Sequence, residues 1–258
     1  MEYALWTLAG LGVGGIIAWR LAAAHAARVA LAILFALGTP AGARANEVAP
    51  LLVEGKRLVE KKSYPEALSR FQAAIETDES CAEAHYQLAR TLCLLRDKGQ
   101  VCEHDAYQDI IMEHLEKAIA LDPALQRRAK ADPGFACGRR IIAFHLLIGR
   151  SLKNPRDLRL ILQEVVWYGP SPGAYGPISG ARFHPNGRAD FWALDLAGDE
   201  VRRIESSATW SLSGCRIRVR YSRPTDGKAF VEGSLGEDGR LVFDDGTEFS
   251  DDPDDCSA

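Results

Sequence analysis

The stretch from about Ala49 to Pro123 repeats itself, and this repetition constrains the fold more than any other feature of the chain. A first unit carries Gly55, then Tyr64-Pro65-Glu66-Ala67-Leu68, Phe71 and Ala74, and ends in an acidic turn at Asp78-Glu79. A second opens with Ala82-Glu83-Ala84, places Leu88, Ala89 and Leu92 on a helical stripe, and resumes after an interruption with Leu115, Ala118 and the turn Leu121-Asp122-Pro123. Gly55 and Ala89 stand 34 residues apart. Small and apolar residues spaced by four and three share one helix face, so each stripe packs into the preceding helix. One such unit cannot bury its apolar face alone, and neighbouring units must stack.

Over residues of about 48–123 this pattern resembles the tetratricopeptide repeat (TPR) family, whose unit is a helix–turn–helix of 34 residues. Ala67, Phe71 and Ala74 match its second-helix spacing, and Leu115 and Ala118 match the last two of those positions. The second unit departs from the family by about ten additional residues, from Leu95 to about Tyr107, which contain the turn Asp97-Lys98-Gly99. In the family the first helices of successive units line a concave groove. The resemblance therefore implies that Lys56 and Arg90, which are equivalent by the period, and Tyr86, four residues before Arg90, face a partner peptide or protein through an acidic segment or a chain-terminal carboxylate. Residues 124–130, 137–152 and 155–166 read as further helices closing the array, the last started by Asn154 as cap and Pro155 at its first position. Ile141, Ile142, Phe144, Leu146 and Leu147 are expected to be buried.

Residues 167–180 (WYGPSPGAYGPISG) are a different kind of text, in which dense Gly, Pro and Ser exclude helix and mark a linker. Beyond it the chain is β-like. Residues 181–184 and 188–194 flank Pro185-Asn186-Gly187, a hairpin signal, and residues 209–212, 215–221, 228–234 and 240–243 continue with turns at Ser213-Gly214, Asp226-Gly227 and Glu237-Asp238-Gly239. In 215–221, Cys215, Ile217, Val219 and Tyr221 alternate with Arg216, Arg218 and Arg220, giving one core face and one wet face. The theme is similar in general texture to lipocalin-like small barrels and contains no diagnostic motif. The fold class is therefore α + β multidomain: an N-terminal TPR-like helical array over 46–166, a Gly/Pro linker over 167–180, a small all-β antiparallel meander over 181–250 forming a sandwich or open barrel, and an acidic tail over 251–258.

Residues 1–45 carry two apolar runs, 4–19 and 29–38, the second preceded by Arg28 and followed by Ala43-Arg44-Ala45. Arg28, the apolar core and the small-x-small site read as a secretory signal, which predicts a periplasmic or secreted product starting at Asn46. The first run leaves alternatives: a misassigned start codon, one retained membrane helix, or a membrane hairpin through residues 4–38. All six cysteines follow the proposed cleavage site. An even number in an exported chain predicts disulfides, with Cys93, Cys102, Cys137, Cys215 and Cys256 as candidates. Cys93 with Cys102 would pin the insertion; alternatively Cys93 is core and Cys102 pairs with Cys137.

The chain contains no hydrolase elbow, phosphate-binding glycine loop, dinucleotide fingerprint or His-Glu-x-x-His helix. A net charge of −4 gives no basic footprint for nucleic acid. Cys102, His104 and Asp105, with His114 further on, form too loose a cluster for a metal centre, and the acidic residues from Asp244 to Asp255 lack the pattern of a calcium loop. Neither metal nor cofactor is expected. The function read from the sequence is a non-catalytic protein-binding or scaffolding module of the bacterial cell envelope. The alternative is a small-ligand carrier or enzyme acting through the β domain, with Trp167, Tyr168, Tyr175, Phe191, Trp192 and Trp210 lining a cavity rather than filling the core.

Overall fold

The computed structural model describes residues 41–96, 107–169, 179–195, 202–221 and 230–252. Helices come first: α1 (Ala41–Glu60), α2 (Tyr64–Thr77), α3 (Ala82–Arg96), α4 (Gln108–Leu121) and α5 (Ala124–Ala131). Two 3₁₀ turns, Pro133–Phe135 and Gly138–Arg140, lead into α6 (Ile142–Leu147) and α7 (Pro155–Glu164). From Leu51 onward the chain forms one compact unit, and α1 up to Pro50 falls outside it.

The stripe read from the repeat is the core of the helical part. Ala67, Phe71, Ala89, Leu92, Leu115 and Ala118 are all buried, together with Tyr86, Ile111, Phe135 and Phe144. Close crossing explains the glycine in the first unit: a methyl group built on Gly55 would lie 2.5–2.9 Å from ring atoms of Phe71.

Residues 137–152 depart from the expected single helix. The 3₁₀ turn at Gly138–Arg140 resets the helical phase, so Ile141, Phe144 and Ile148 enter the helical core. Leu146 is 43% exposed. Helix α7 begins as its sequence says, with the Asn154 side chain accepting from the backbone of Arg156 at 2.9 Å. Its apolar face does not close the helical array. Leu158, Ile161 and Leu162 belong instead to the core of the β-sheet.

That sheet has eight antiparallel strands in sequential order: β1 (Trp167–Tyr168), β2 (Ser179–Phe183), β3 (Arg188–Asp195), β4 (Arg202–Ser213), β5 (Arg216–Tyr221), β6 (Phe230–Leu235), β7 (Leu241–Phe243) and β8 (Glu248–Phe249). It nearly closes into a barrel. Tyr168 and Ser250 exchange backbone hydrogen bonds of 2.8 Å in both directions, joining the first strand to the residue after the last. The presumed linker thus contributes β1 and the start of β2, and Trp167 is fully buried, donating its indole N–H to the carbonyl of Leu162.

Turn chemistry follows the sequence at three places. Gly187, Gly214 and Gly239, each in a turn between strands, have positive φ values of 79°, 60° and 79°. The alternation of β5 also holds: Ile217 and Val219 are buried in the barrel while Arg216, Arg218 and Arg220 point outward. Inside, Trp167, Phe183, Trp210, Ile217, Leu241 and Phe243 share one core with Leu158, Ile161 and Leu162 of α7.

Candidate functional site

Lys56, Tyr86 and Arg90 are brought together by the crossing of α1 and α3. The structure adds partners that local spacing did not reveal. Lys56 Nζ lies 2.7 Å from Glu83 Oε1, and Arg128 Nη1 of α5 lies 2.6 Å from Glu83 Oε2. The Tyr86 hydroxyl donates to Asp132 Oδ2 at 2.8 Å, and Arg90 Nε donates to the same oxygen at 2.9 Å. Arg128 also sits 4.3 Å above the Tyr86 ring, a cation–π contact.

Burial opposes ionisation of both carboxyls, but hydrogen bonds outweigh it. Lys56, Gln87 and Arg128 hold Glu83 below the usual carboxylate range, and the Gly134 amide, Tyr86 and Arg90 do the same for Asp132. Burial, then Asp132, pushes the Tyr86 phenol up. The cations read from the sequence as facing an acidic partner are thus already matched by carboxylates of the same chain.

Cys93 and Cys137 form a disulfide with Cα atoms 5.5 Å apart, which corrects both pairings expected from the sequence. Cys93 lies one turn beyond Ala89 on the buried face of α3, where the segment after Pro133 packs. Cys81 and Cys215 are free thiols among the described residues; Cys215 lies in the turn before β5 and packs against the barrel interior. Cys102 and Cys256 lie outside the described residues, as do His104, Asp105, Tyr175 and the apolar runs at 4–19 and 29–38.

His114 meets His85 rather than the insertion, with their Nδ1 atoms 2.8 Å apart. His85 Nε2 donates to the Glu79 carbonyl at 3.0 Å, which leaves its Nδ1 to accept from His114. Burial depresses both imidazoles, and for His114 the charge of His85 adds to the effect. Among the described residues no group of three or more His, Cys, Asp or Glu side chains is arranged to hold a metal ion, and no helix is long and apolar enough to cross a membrane. The acidic groups near the C-terminus have structural partners: Asp245 accepts from the Thr247 amide at 3.0 Å, and Asp251 accepts from the Ile142 amide at 2.5 Å.

The barrel offers more open surface. At the end where β3 runs into β4, no described residue covers the strand faces that continue the interior. Phe191 and Tyr221 are half-buried with ring centroids 5.8 Å apart, Phe249 is 6.1 Å from Phe191, and Ile204 is 57% exposed although its alternation puts it on the inner face. Burial, then Asp245, raises the Tyr221 phenol. On the outer face of β2, β3 and β4 lies a groove of about 380 Å³, and a depression of about 720 Å³ follows the seam between β1 and β8. Trp192, expected either in the core or around a cavity, lies on the outer face opposite Gly180. Compared with protein-family models, curated proteins and solved structures, the chain matches none of them.

Proposed function

We propose that this chain is a non-catalytic binding protein that holds a small, partly apolar ligand in the mouth of its barrel. The TPR-like helices serve as a frame for it. An eight-stranded barrel has an interior wide enough either to be filled by side chains or to hold one small ligand. Here the end capped by α7 is filled, while the opposite end exposes an inward-facing apolar rim. The observation that carries the reading is this rim of Phe191, Tyr221 and Ile204, backed by the buried Phe249 and unsealed by any described residue. Aromatic walls with a few polar groups suit small-molecule sites, and the phenol of Tyr221 supplies one such group. The helical groove is the weaker candidate, because Glu83 and Asp132 stand where an acidic partner peptide would bind.

Export is part of the same proposal. The Cys93–Cys137 bond fits an oxidising compartment and the secretory signal read before Asn46. Intact mass of the cellular protein, with and without reduction, tests it: a chain starting at Asn46 with at least one bridge is expected.

The mouth is tested with an environment-sensitive anilinonaphthalene dye. Saturable, blue-shifted fluorescence is expected with the wild-type protein, and Phe191→Ala and Tyr221→Ala should each weaken it by roughly five- to thirtyfold, from about 1–2 kcal/mol of lost apolar contact. Dye binding that ignores both substitutions, with folding confirmed by circular dichroism, would reject the mouth as the site.

A further inference from the structure

The groove on the outer face of β2, β3 and β4 holds a guanidinium without an acidic partner among the described residues. Arg182 stands directly across from Asp190 in the antiparallel register, the position from which an ion pair would normally form. Asp190 is already engaged. Its Oδ1 accepts from Arg188 Nε at 2.7 Å and from the Ser207 hydroxyl at 2.9 Å, and its Oδ2 accepts from His184 Nε2 at 2.9 Å. The other carboxylate of the groove, Glu205, accepts from Arg203 Nε at 2.9 Å. Arg182 makes no ion pair or side-chain hydrogen bond among the described residues, and it lines the groove. Three arginines therefore face two carboxylates, and the charge left over is that of Arg182.

The groove floor is shaped for a ligand with more than a charge. Gly180 has no side chain, and a methyl group there would fall 2.6 Å from the Trp192 indole, so the glycine lets the ring lie on the sheet, with the Arg203 guanidinium 4.9 Å from its centroid. The Trp192 Nε1–H has no partner among the described residues. Ser207, His184, Asp190 and Glu205 line the same groove with groups that exchange hydrogen bonds with hydroxyls. A volume of about 380 Å³ sits at the small end of ligand pockets, which span roughly 300–1,000 Å³.

From these observations we infer that the outer groove binds a small sugar acid, its oxyanion paired with Arg182 and its ring hydroxyls toward the Trp192 indole N–H and the polar rim. A planar guanidinium takes a carboxylate or a phosphate oxygen pair through two parallel hydrogen bonds. An exposed ion pair alone contributes little, so the ring hydroxyls must add to it, and a bare anion should bind poorly. The site is on the opposite face of the sheet from the mouth and does not depend on the reading of the mouth.

Isothermal titration of the full chain tests the inference, with glucuronate, glucose 6-phosphate, glucose, acetate and inorganic phosphate as probes. Saturable binding of glucuronate or glucose 6-phosphate is expected, and the tighter of the two identifies the oxyanion as carboxylate or phosphate. Arg182→Met should weaken that binding about tenfold or more, as loss of a charge-assisted hydrogen bond requires. Arg182→Lys should restore part of it. Arg216→Met, on the outer face of β5, should leave it unchanged. Equal binding of glucose, equal binding of acetate or phosphate alone, no binding of any probe, or binding indifferent to Arg182→Met would each overturn the inference.

Discussion

At the scale of single residues, the imidazole of His145 shows how burial fixes a protonation state. It is fully buried, its Nε2 donates to the Arg139 carbonyl at 2.9 Å, and its Nδ1 accepts from Arg150 Nη1 at 2.8 Å. Both nitrogens are committed, so a second proton has no acceptor. Burial first, then the charge of Arg150, lowers its pKa from 6.5 to about 4. A depressed folded-state value means that the unfolded chain takes up the proton first. The contribution of neutral His145 is therefore complete above pH 6.5, erodes below it, and is lost as pH falls through about 4, a total of about 3 kcal/mol. Urea unfolding across that window should show the loss, and His145→Gln should flatten it. Gly55 gives a second prediction. Alanine would gain up to about 1 kcal/mol in helix propensity, but its methyl group must displace the Phe71 ring, and overpacking costs about 1–3 kcal/mol. Gly55→Ala should lower the denaturation midpoint. The need for glycine here was legible in the sequence through the repeat. The partners of Arg90 and Tyr86 were not, because Asp132 lies 42 and 46 residues away and nothing local marks it.

At the scale of elements, helical stripes were legible because period and small-residue spacing dictate which face is buried. What they could not supply was the surface on which that face lands. Helix α7 was readable down to its cap, yet Leu158, Ile161 and Leu162 pack into the barrel, since amphipathicity identifies a dry face and not its neighbour. The first half of β4 (Arg202–Ser207) escaped notice for a related reason. Both of its faces are exposed near the mouth, so no apolar alternation is written there. Strands β1 and β8, two residues each, are too short to leave a period. The disulfide belongs to this scale as well, tying α3 to the segment after α5 across 44 residues. Closing a loop of that length stabilises by about 4 kcal/mol through the unfolded state. The double variant Cys93→Ala/Cys137→Ala should fall short of the oxidised protein by an amount of that order in guanidinium unfolding, and reduction of the wild type should produce a similar drop.

At the scale of the whole molecule, two cores meet at one short helix. Ile141 belongs to the helical core and Ile142 to the barrel core, and the backbone amide of Ile142 is held by Asp251 from just beyond β8. Adjacent residues anchored in different cores couple them, so helix ellipticity and tryptophan fluorescence should report one coincident thermal transition. Asp251→Ala removes the acceptor for that amide and should cost about 1–2 kcal/mol; two separated transitions in the wild type would refute the coupling. The closure of the sheet has a consequence of another kind. Because Tyr168 and Ser250 are hydrogen-bonded neighbours, the chain comes into the barrel and leaves it at the same point. A module whose two ends touch can be spliced into a surface turn of an unrelated protein without stretching its host, or be cut open at Gly187 or Gly239 and rejoined across the seam while keeping every strand beside its present neighbours. The seam is thus the barrel's natural joint, where a new order of the same strands could be written.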